Sequence, residues 1–249
     1  RESKMENFEV YEGSNDLPVV VSCEHASGFV PEELNNLGVS VDELNSCNYL
    51  FDKGAEGAYD FLVAKLGCNG IKAKVSRLVI DVNRDLDQES LIRTSCGPHS
   101  FNGNKGITEE EKKDRIEKYY LPYRNKLHNL LSDCEKKHGV CFYFSIHTME
   151  NCFEKERREM DFAIIYNKGE KVAKKLGESL EKKGHVVTYN NPYTLKKDII
   201  RVTHDSEVMK FNEFAVVVEI NDGLVNDLNI TESLFDAIRS VAEDYSSQK

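Results

Sequence analysis

Three apolar, β-branched runs end abruptly in polar, reactive side chains, and this pattern constrains the fold more than any other feature of the chain. The first is Val19-Val20-Val21-Ser22-Cys23-Glu24-His25, the second Val140-Cys141-Phe142-Tyr143-Phe144-Ser145-Ile146-His147, and the third Ala215-Val216-Val217-Val218-Glu219. Short apolar runs rich in valine and aromatics read as buried strands. In open α/β sheets, ligands bind at the carboxyl ends of such strands. Two histidines and a glutamate delivered to one sheet edge point to a metal site. The spacing alone is no metal signature, because the three residues sit on separate elements. A hydrogen-bonded structural role for either histidine stays open on this evidence.

Amphipathic segments alternate with the strands. Ser40 with Glu43 and Thr108 with Glu111 form capping boxes that open helices. Asp52 to Leu66 reads as a helix with Ala55, Ala58, Tyr59, Leu62 and Leu66 on one face and Gly67 beyond its end. That reading makes Asp52 an N-cap carboxylate. Ile71–Val75 and Leu78–Ile80 are expected to be short strands. The helix that begins near Thr108 runs to His138, with an interruption at Pro122. Tyr119, Tyr120, Tyr123 and Leu127 line its inner face. Further strands are expected at Phe162–Tyr166 and Val186–Tyr189, and further helices at Glu170–Lys183 and Thr231–Tyr245. Alternation of this kind gives an α/β class with a mostly parallel sheet. With 249 residues, a single domain over 1–249 is expected.

Charge and cysteine content narrow the function classes. The formal net charge of -10 argues against nucleic acid as a partner, and no phosphate-cradling glycine loop is present. No apolar run reaches transmembrane length and no secretory leader is visible, so neither a membrane partner nor export is expected. Seven cysteines are scattered without a Cys-x-x-Cys pair, which fits free thiols in a reducing, cytoplasmic setting. Cys23 could act as a nucleophile beside His25, but both belong to one strand, a poor geometry for activation. Asn83-Arg84 follows the Leu78–Ile80 run. Its arginine could grip a carboxylate through two parallel hydrogen bonds, or it could simply pair with Asp81, Asp85 or Asp87.

Taken in order, these pieces resemble the N-formylglutamate amidohydrolase family, in the branch that carries a Cys-Glu-His-Ala-Ser strand end. The matching segments are Ser22-Cys23-Glu24-His25-Ala26-Ser27, Asp52-x-Gly54-Ala55, Ser76-Arg77-Leu78-Val79-Ile80-Asp81-x-Asn83-Arg84, Tyr120-x-Pro122-Tyr123, Ile146-His147-Thr148, Asn191-Pro192-Tyr193 and Glu219-Ile220-x-Asp222. The resemblance implies a three-layer α/β fold of phosphorylase/hydrolase-like type, with a mostly parallel mixed sheet and helices on both faces. It is similar in architecture to the zinc carboxypeptidases and aspartoacylase-like enzymes.

The activity implied is zinc-dependent hydrolysis of the amide of an N-acyl amino acid such as N-formylglutamate. The zinc ligands implied are His25, His147 and Asp52, with Glu24 competing for the carboxylate position. Glu219 takes the place of the general base. Asn83 and Arg84 take the place of the pair that holds the substrate α-carboxylate. Arg77 and His204 are expected to contact the substrate or polarise its carbonyl. The chain departs from the family pattern at Asn221, at Arg124 and at Thr194-Leu195-Lys196-Lys197, all at the substrate rim. The acyl group and amino acid therefore stay open, as does the oligomeric state. Rival readings are an amidase acting on another amide, such as a peptidoglycan fragment, and a non-catalytic carboxylate-binding protein of the same fold.

Overall fold

A computed structural model describes residues 7–14, 16–153, 155–193 and 212–246. In chain order the elements that frame the site are β1 (Phe8–Tyr11), β2 (Val19–Cys23), α1 (Val41–Ser46), α2 (Ala55–Leu66) and β3 (Asn69–Ala73). A small hairpin follows, β4 (Ser95–Cys96) with β5 (His99–Ser100), then α3 (Glu109–Arg115), α4 (Leu121–His138) and β6 (Phe142–Met149). A second hairpin, β7 (Cys152–Phe153) with β8 (Glu156–Arg157), leads to β9 (Phe162–Ile165), α5 (Glu170–Glu181), β10 (Val187–Tyr189), β11 (Ala215–Asn221) and α6 (Leu228–Ser246).

Among the described residues, seven strands form one mixed sheet in the order β1-β3-β2-β6-β11-β9-β10. The four central strands run parallel. β1 runs antiparallel to β3, and β9 runs antiparallel to β11. Strand alternation divides the core in two. Val19, Val21, Phe144, Ile146, Val216 and Val218 face α2, α5 and α6, against Tyr59, Leu62, Leu176 and Leu234. Val20, Tyr143 and Val217 face the opposite layer, against Tyr123, Leu127 and Leu131 of α4. The three layers with helices on both faces match the sequence expectation. No helix among the described residues is long and apolar enough to cross a membrane.

Both capping boxes form, Ser40 with Glu43 and Thr108 with Glu111. Pro122 acts as expected. The helix after Thr108 widens into a π-turn over Ile116–Tyr120 before α4 begins, with the proline in its first turn. Proline has no N–H to give the carbonyl four residues back, and that carbonyl, of Lys118, accepts instead from the Asn7 side chain.

Two expectations need correction. Leu78–Ile80 is a buried turn rather than a strand, closed by Val79 N–H donating to the Ser76 carbonyl at 3.0 Å. β1, which precedes the first expected strand, is ordered by antiparallel pairing with β3. Asp52 is not the N-cap of α2. That position is Gly54, which has φ +81° and offers no side chain. A Cβ at Gly54 would lie 2.3 Å from Val225 Cγ1, in a backbone region that L residues avoid. Gly54→Ala should therefore destabilise the fold by about 1–3 kcal/mol, read as a lower midpoint in urea unfolding at unchanged slope.

Candidate metal centre and active-site cavity

Each polar residue of the site sits where a strand or turn ends at the carboxyl edge of the sheet. His25 follows β2 directly, and its carbonyl accepts from Asp52 N–H at 3.0 Å, which ties the turn before α2 to the strand end. His147 lies on β6 and Glu219 on β11. The two strands run parallel with Glu219 paired to His147, so both side chains leave the same face at the same height. Parallel strands buried on both faces read as continuous apolar runs, which explains why the polar residues stand out so sharply in the sequence.

The carboxylate of Asp52 is the point of convergence. Its Oδ2 lies 2.7 Å from His147 Nδ1 and 3.3 Å from His25 Nδ1. The remaining ring nitrogens are held from behind. His25 Nε2 lies 2.8 Å from Asp81 Oδ1. His147 Nε2 lies 2.9 Å from Ser145 Oγ and 3.2 Å from Glu24 Oε2. Metal-binding histidines typically present one nitrogen to the ion while the other donates to a carboxylate, which fixes tautomer and ring orientation. Ligand atoms of His25, Asp52 and His147 all lie within 4.8 Å of one another. The three residues thus form a cluster able to hold a metal ion, with both Nδ1 atoms and a carboxylate oxygen turned to a common centre.

The electrostatics suit such a site. Burial acts to raise Asp52 and Asp81, but their histidine neighbours, joined by Arg77 and Arg84 at Asp81, hold both well below the usual carboxylate range. Burial also acts to raise Glu24, yet hydrogen bonds from His147, Ser22 and Ser145 hold it at about 2. Burial acts to lower His147, and Asp52 and Glu24 outweigh it and raise its pKa to about 10. The metal-free His147 is therefore cationic, and a divalent ion would take the place of its Nδ1 proton. Glu219 moves the other way. Burial, with Asp52 nearby, pushes it up to about 7 against the pull of His147 and two arginines.

The structure gathers nearly all the residues singled out in the sequence. A cavity of about 620 Å³ is lined by His25, Asp52, Arg77, Arg84, His147 and Glu219. Arg77 bridges the acids, with Nη1 3.3 Å from Asp52 Oδ1 and Nη2 3.1 Å from Asp81 Oδ2. Arg84 is buried, 3.9 Å from Asp81 Oδ2, and donates to Ser90 Oγ at 3.2 Å. Pairing of Arg84 with a neighbouring acid and a place on the cavity wall thus coexist. Asn83 is buried, its N–H donating to Asp81 Oδ1 at 2.9 Å. His204 lies outside the described residues, as do Arg201 and Thr194-Leu195-Lys196-Lys197.

Further residues complete the surroundings. Asp81, a member of the Ser76–Arg84 match and in the sequence a candidate salt-bridge partner for Arg84, joins His25 to Arg77. Tyr49 carries Arg77 on its ring at 3.7 Å and Arg93 at 4.3 Å. Arg158 donates to Tyr193 OH at 2.9 Å, and both line the cavity. Ser145, two residues before His147 on the same strand face, could have been found from strand periodicity.

Comparison with known proteins decides the family. The family model described as N-formylglutamate amidohydrolase matches residues 17–225. The chain belongs to the N-formylglutamate amidohydrolase family. Membership makes it a hydrolase of the amidohydrolase type. Solved structures share the fold. A gene product of Agrobacterium tumefaciens superposes with a TM-score of 0.85 at 22% identity, covering 100% of this chain and 98% of that one. An N-formylglutamate amidohydrolase from Ralstonia eutropha JMP134 gives 0.76 at 20% identity, covering 98% and 99%. A bacteriophage poly-gamma-glutamate hydrolase gives 0.50 at 11% identity, covering 100% and 94%. No curated protein sequence matches the chain.

Asp81 offers a test of the cluster that leaves its three central residues intact. Asp81→Asn should weaken divalent-metal affinity about 10–100-fold, measured by competition with a chromogenic chelator. Unchanged affinity would show that His25 does not ligate through the nitrogen opposite Asp81.

Proposed function

We propose that the protein hydrolyses the amide bond of an N-acyl amino acid, with N-formylglutamate as the leading candidate, using zinc held by His25, Asp52 and His147. The observation that carries this reading is the pairing of Glu219 with His147 across neighbouring parallel strands, which aims a buried carboxylate into the cavity beside the cluster. A carboxylate-binding protein of the same fold has no use for a base at that position. Family membership supports the reaction class, and the name of the Ralstonia structure supports an N-formyl amino acid as substrate. Two imidazoles and a carboxylate form a donor set that suits zinc and leaves a position open. Zinc so held supplies a Lewis acid for the carbonyl oxygen and lowers the pKa of water.

The protein's own groups do the rest. Glu219 accepts a proton from the attacking water and returns it to the leaving nitrogen. A carboxyl raised to about 7 is well placed to act in both directions. Arg84, with Asn83 beside it, binds the substrate carboxylate and fixes the amide over the cluster. Arg77 adds positive charge next to Asp52, on the side where the carbonyl oxygen gains charge. Glu24 serves as the partner that orients His147 rather than as a ligand, because it approaches the ring from behind. His204 is a further candidate for contact with the substrate.

Glu219→Gln should keep about one zinc per chain by elemental analysis while losing hydrolysis. A variant that still turns over would remove Glu219 from the mechanism. Because the base works only when deprotonated, kcat/KM of the unmodified enzyme should rise with pH, with its acid limb at or below about pH 7. Arg84→Ala should lower kcat/KM by roughly 10–100-fold, the loss of a charge-assisted hydrogen bond of about 1.5–3 kcal/mol. A panel of formyl, acetyl and succinyl amino acids, with a peptidoglycan-derived amide, identifies the acyl group. Turnover of the last alone would favour the other-amide reading.

A further inference from the structure

The cations that line the cavity are not equally engaged. Arg77 spans Asp52 and Asp81, and Arg84 lies against Asp81 and Ser90. Lys53 donates to Asn48 Oδ1 at 3.2 Å, and Arg158 donates to Tyr193. Arg93 lines the same cavity, and among the described residues no acid forms an ion pair with it. Its Nε is buried and meets no hydrogen-bond partner there. The side chain is half-buried and lies on the ring of Tyr49, 4.3 Å from the ring centre. A charge taken partly out of water, with a donor left unused, is costly to keep. A planar guanidinium is also shaped to receive a carboxylate through two parallel hydrogen bonds.

The backbone of Arg93 is fixed from behind. Its carbonyl accepts from Asn104 Nδ2 at 2.7 Å, and the same nitrogen donates to the Leu78 carbonyl at 2.8 Å. Asn104 is itself buried, and its Oδ1 accepts from Arg115 at 2.7 Å. The neighbouring Thr94 carbonyl accepts from Phe101 N–H at 2.9 Å. Leu78 belongs to the segment that carries Arg77 and leads to Asn83-Arg84. One side-chain amide therefore ties Arg93 to the segment bearing Arg84, and the cavity presents two arginines in a fixed relation. Such a pair can read the separation of two carboxylates, because a rigid site loses little freedom when its ligand arrives.

We propose that Arg93 is a specificity-determining residue that takes a second carboxylate of the substrate while Arg84 takes the α-carboxylate. The protein then selects N-acyl derivatives of dicarboxylic amino acids over those with neutral side chains. This inference rests on the reading of Arg84 and of the reaction proposed above. Arg77 is not available for the task, because its two terminal nitrogens are committed to Asp52 and Asp81. An amide in place of the distal carboxylate offers the guanidinium one neutral oxygen instead of two charged ones, so the loss falls on the charge-assisted bonds.

The test compares N-formylglutamate with N-formylglutamine, which differ only in the distal group, using the zinc-loaded protein. The expected result is a preference for the glutamate compound in kcat/KM, and a fall in that preference of roughly 10–100-fold in Arg93→Gln. Arg84→Ala should lower kcat/KM for both compounds and keep the preference, since they share the α-carboxylate. An Arg93→Gln protein that retains the full preference overturns the proposal. So does an unsubstituted protein that hydrolyses the two compounds equally, which decides the matter should the variant fail to fold. If neither compound is hydrolysed, the reaction proposed above fails, and calorimetry with glutarate and its monoamide decides the role of Arg93. Weaker binding of glutarate to Arg93→Gln, without a matching change for the monoamide, supports it. Equal binding of glutarate to both proteins overturns it.

Discussion

The centre of this protein depends on a buried exchange of charge among two carboxylates, two imidazoles and a guanidinium. Asp52 and Asp81 are bridged twice, once by the ring of His25 and once by Arg77. Taken singly, each of these ions would be costly to remove from water. Taken together, each finds a partner within hydrogen-bonding range, and what remains is a rigid frame with little freedom to rearrange. The turn before α2, the buried turn at Leu78–Ile80 and the end of β2 are joined through this frame. The left-handed Gly54 and the Asp52–His25 backbone hydrogen bond can be read as devices that bring a carboxylate into it.

This frame explains how one residue serves two purposes. Asp81 holds the outer nitrogen of His25, accepts from the Asn83 backbone, and faces both Arg77 and Arg84. A residue that orients a proposed ligand therefore also positions a proposed substrate-binding arginine. Substrate grip and metal affinity are joined through a single carboxylate, so altering one is expected to disturb the other.

Much of this was readable from sequence, for a definite reason. In a parallel sheet covered on both faces, nearly every strand residue is apolar, so Glu24, His25, His147 and Glu219 stood out as departures from a monotonous pattern. Adjacent strand residues point in opposite directions, and that rule had left Glu24 unsettled beside His25. The structure gives Glu24 a place among Tyr123, Tyr143 and Ser145, behind His147. Position on a turn was harder to read. Asp52 at the start of an amphipathic pattern looked like a helix cap, because sequence does not reveal that Gly54 begins the helix instead. Leu78–Ile80 had the apolar character of a strand, and its burial comes from packing beneath α4 and the π-turn. The stacking of Arg77 and Arg93 on Tyr49 joins segments tens of residues apart and leaves no local trace.

The order of strands in the sheet carries a consequence for how the site comes into being. β11 is the last of the seven sheet strands in sequence, yet it lies between β6 and β9. Until it arrives, β6 presents an open edge, and β9 and β10 have no neighbour through which to join the parallel centre. On a ribosome that emits the chain from its amino end, His25, Asp52 and His147 can be assembled well before Glu219 is available. The base is the final piece to be installed. A nascent or truncated chain could thus hold the cluster while lacking the carboxylate opposite it, and the closing of the sheet and the completion of the site are one event.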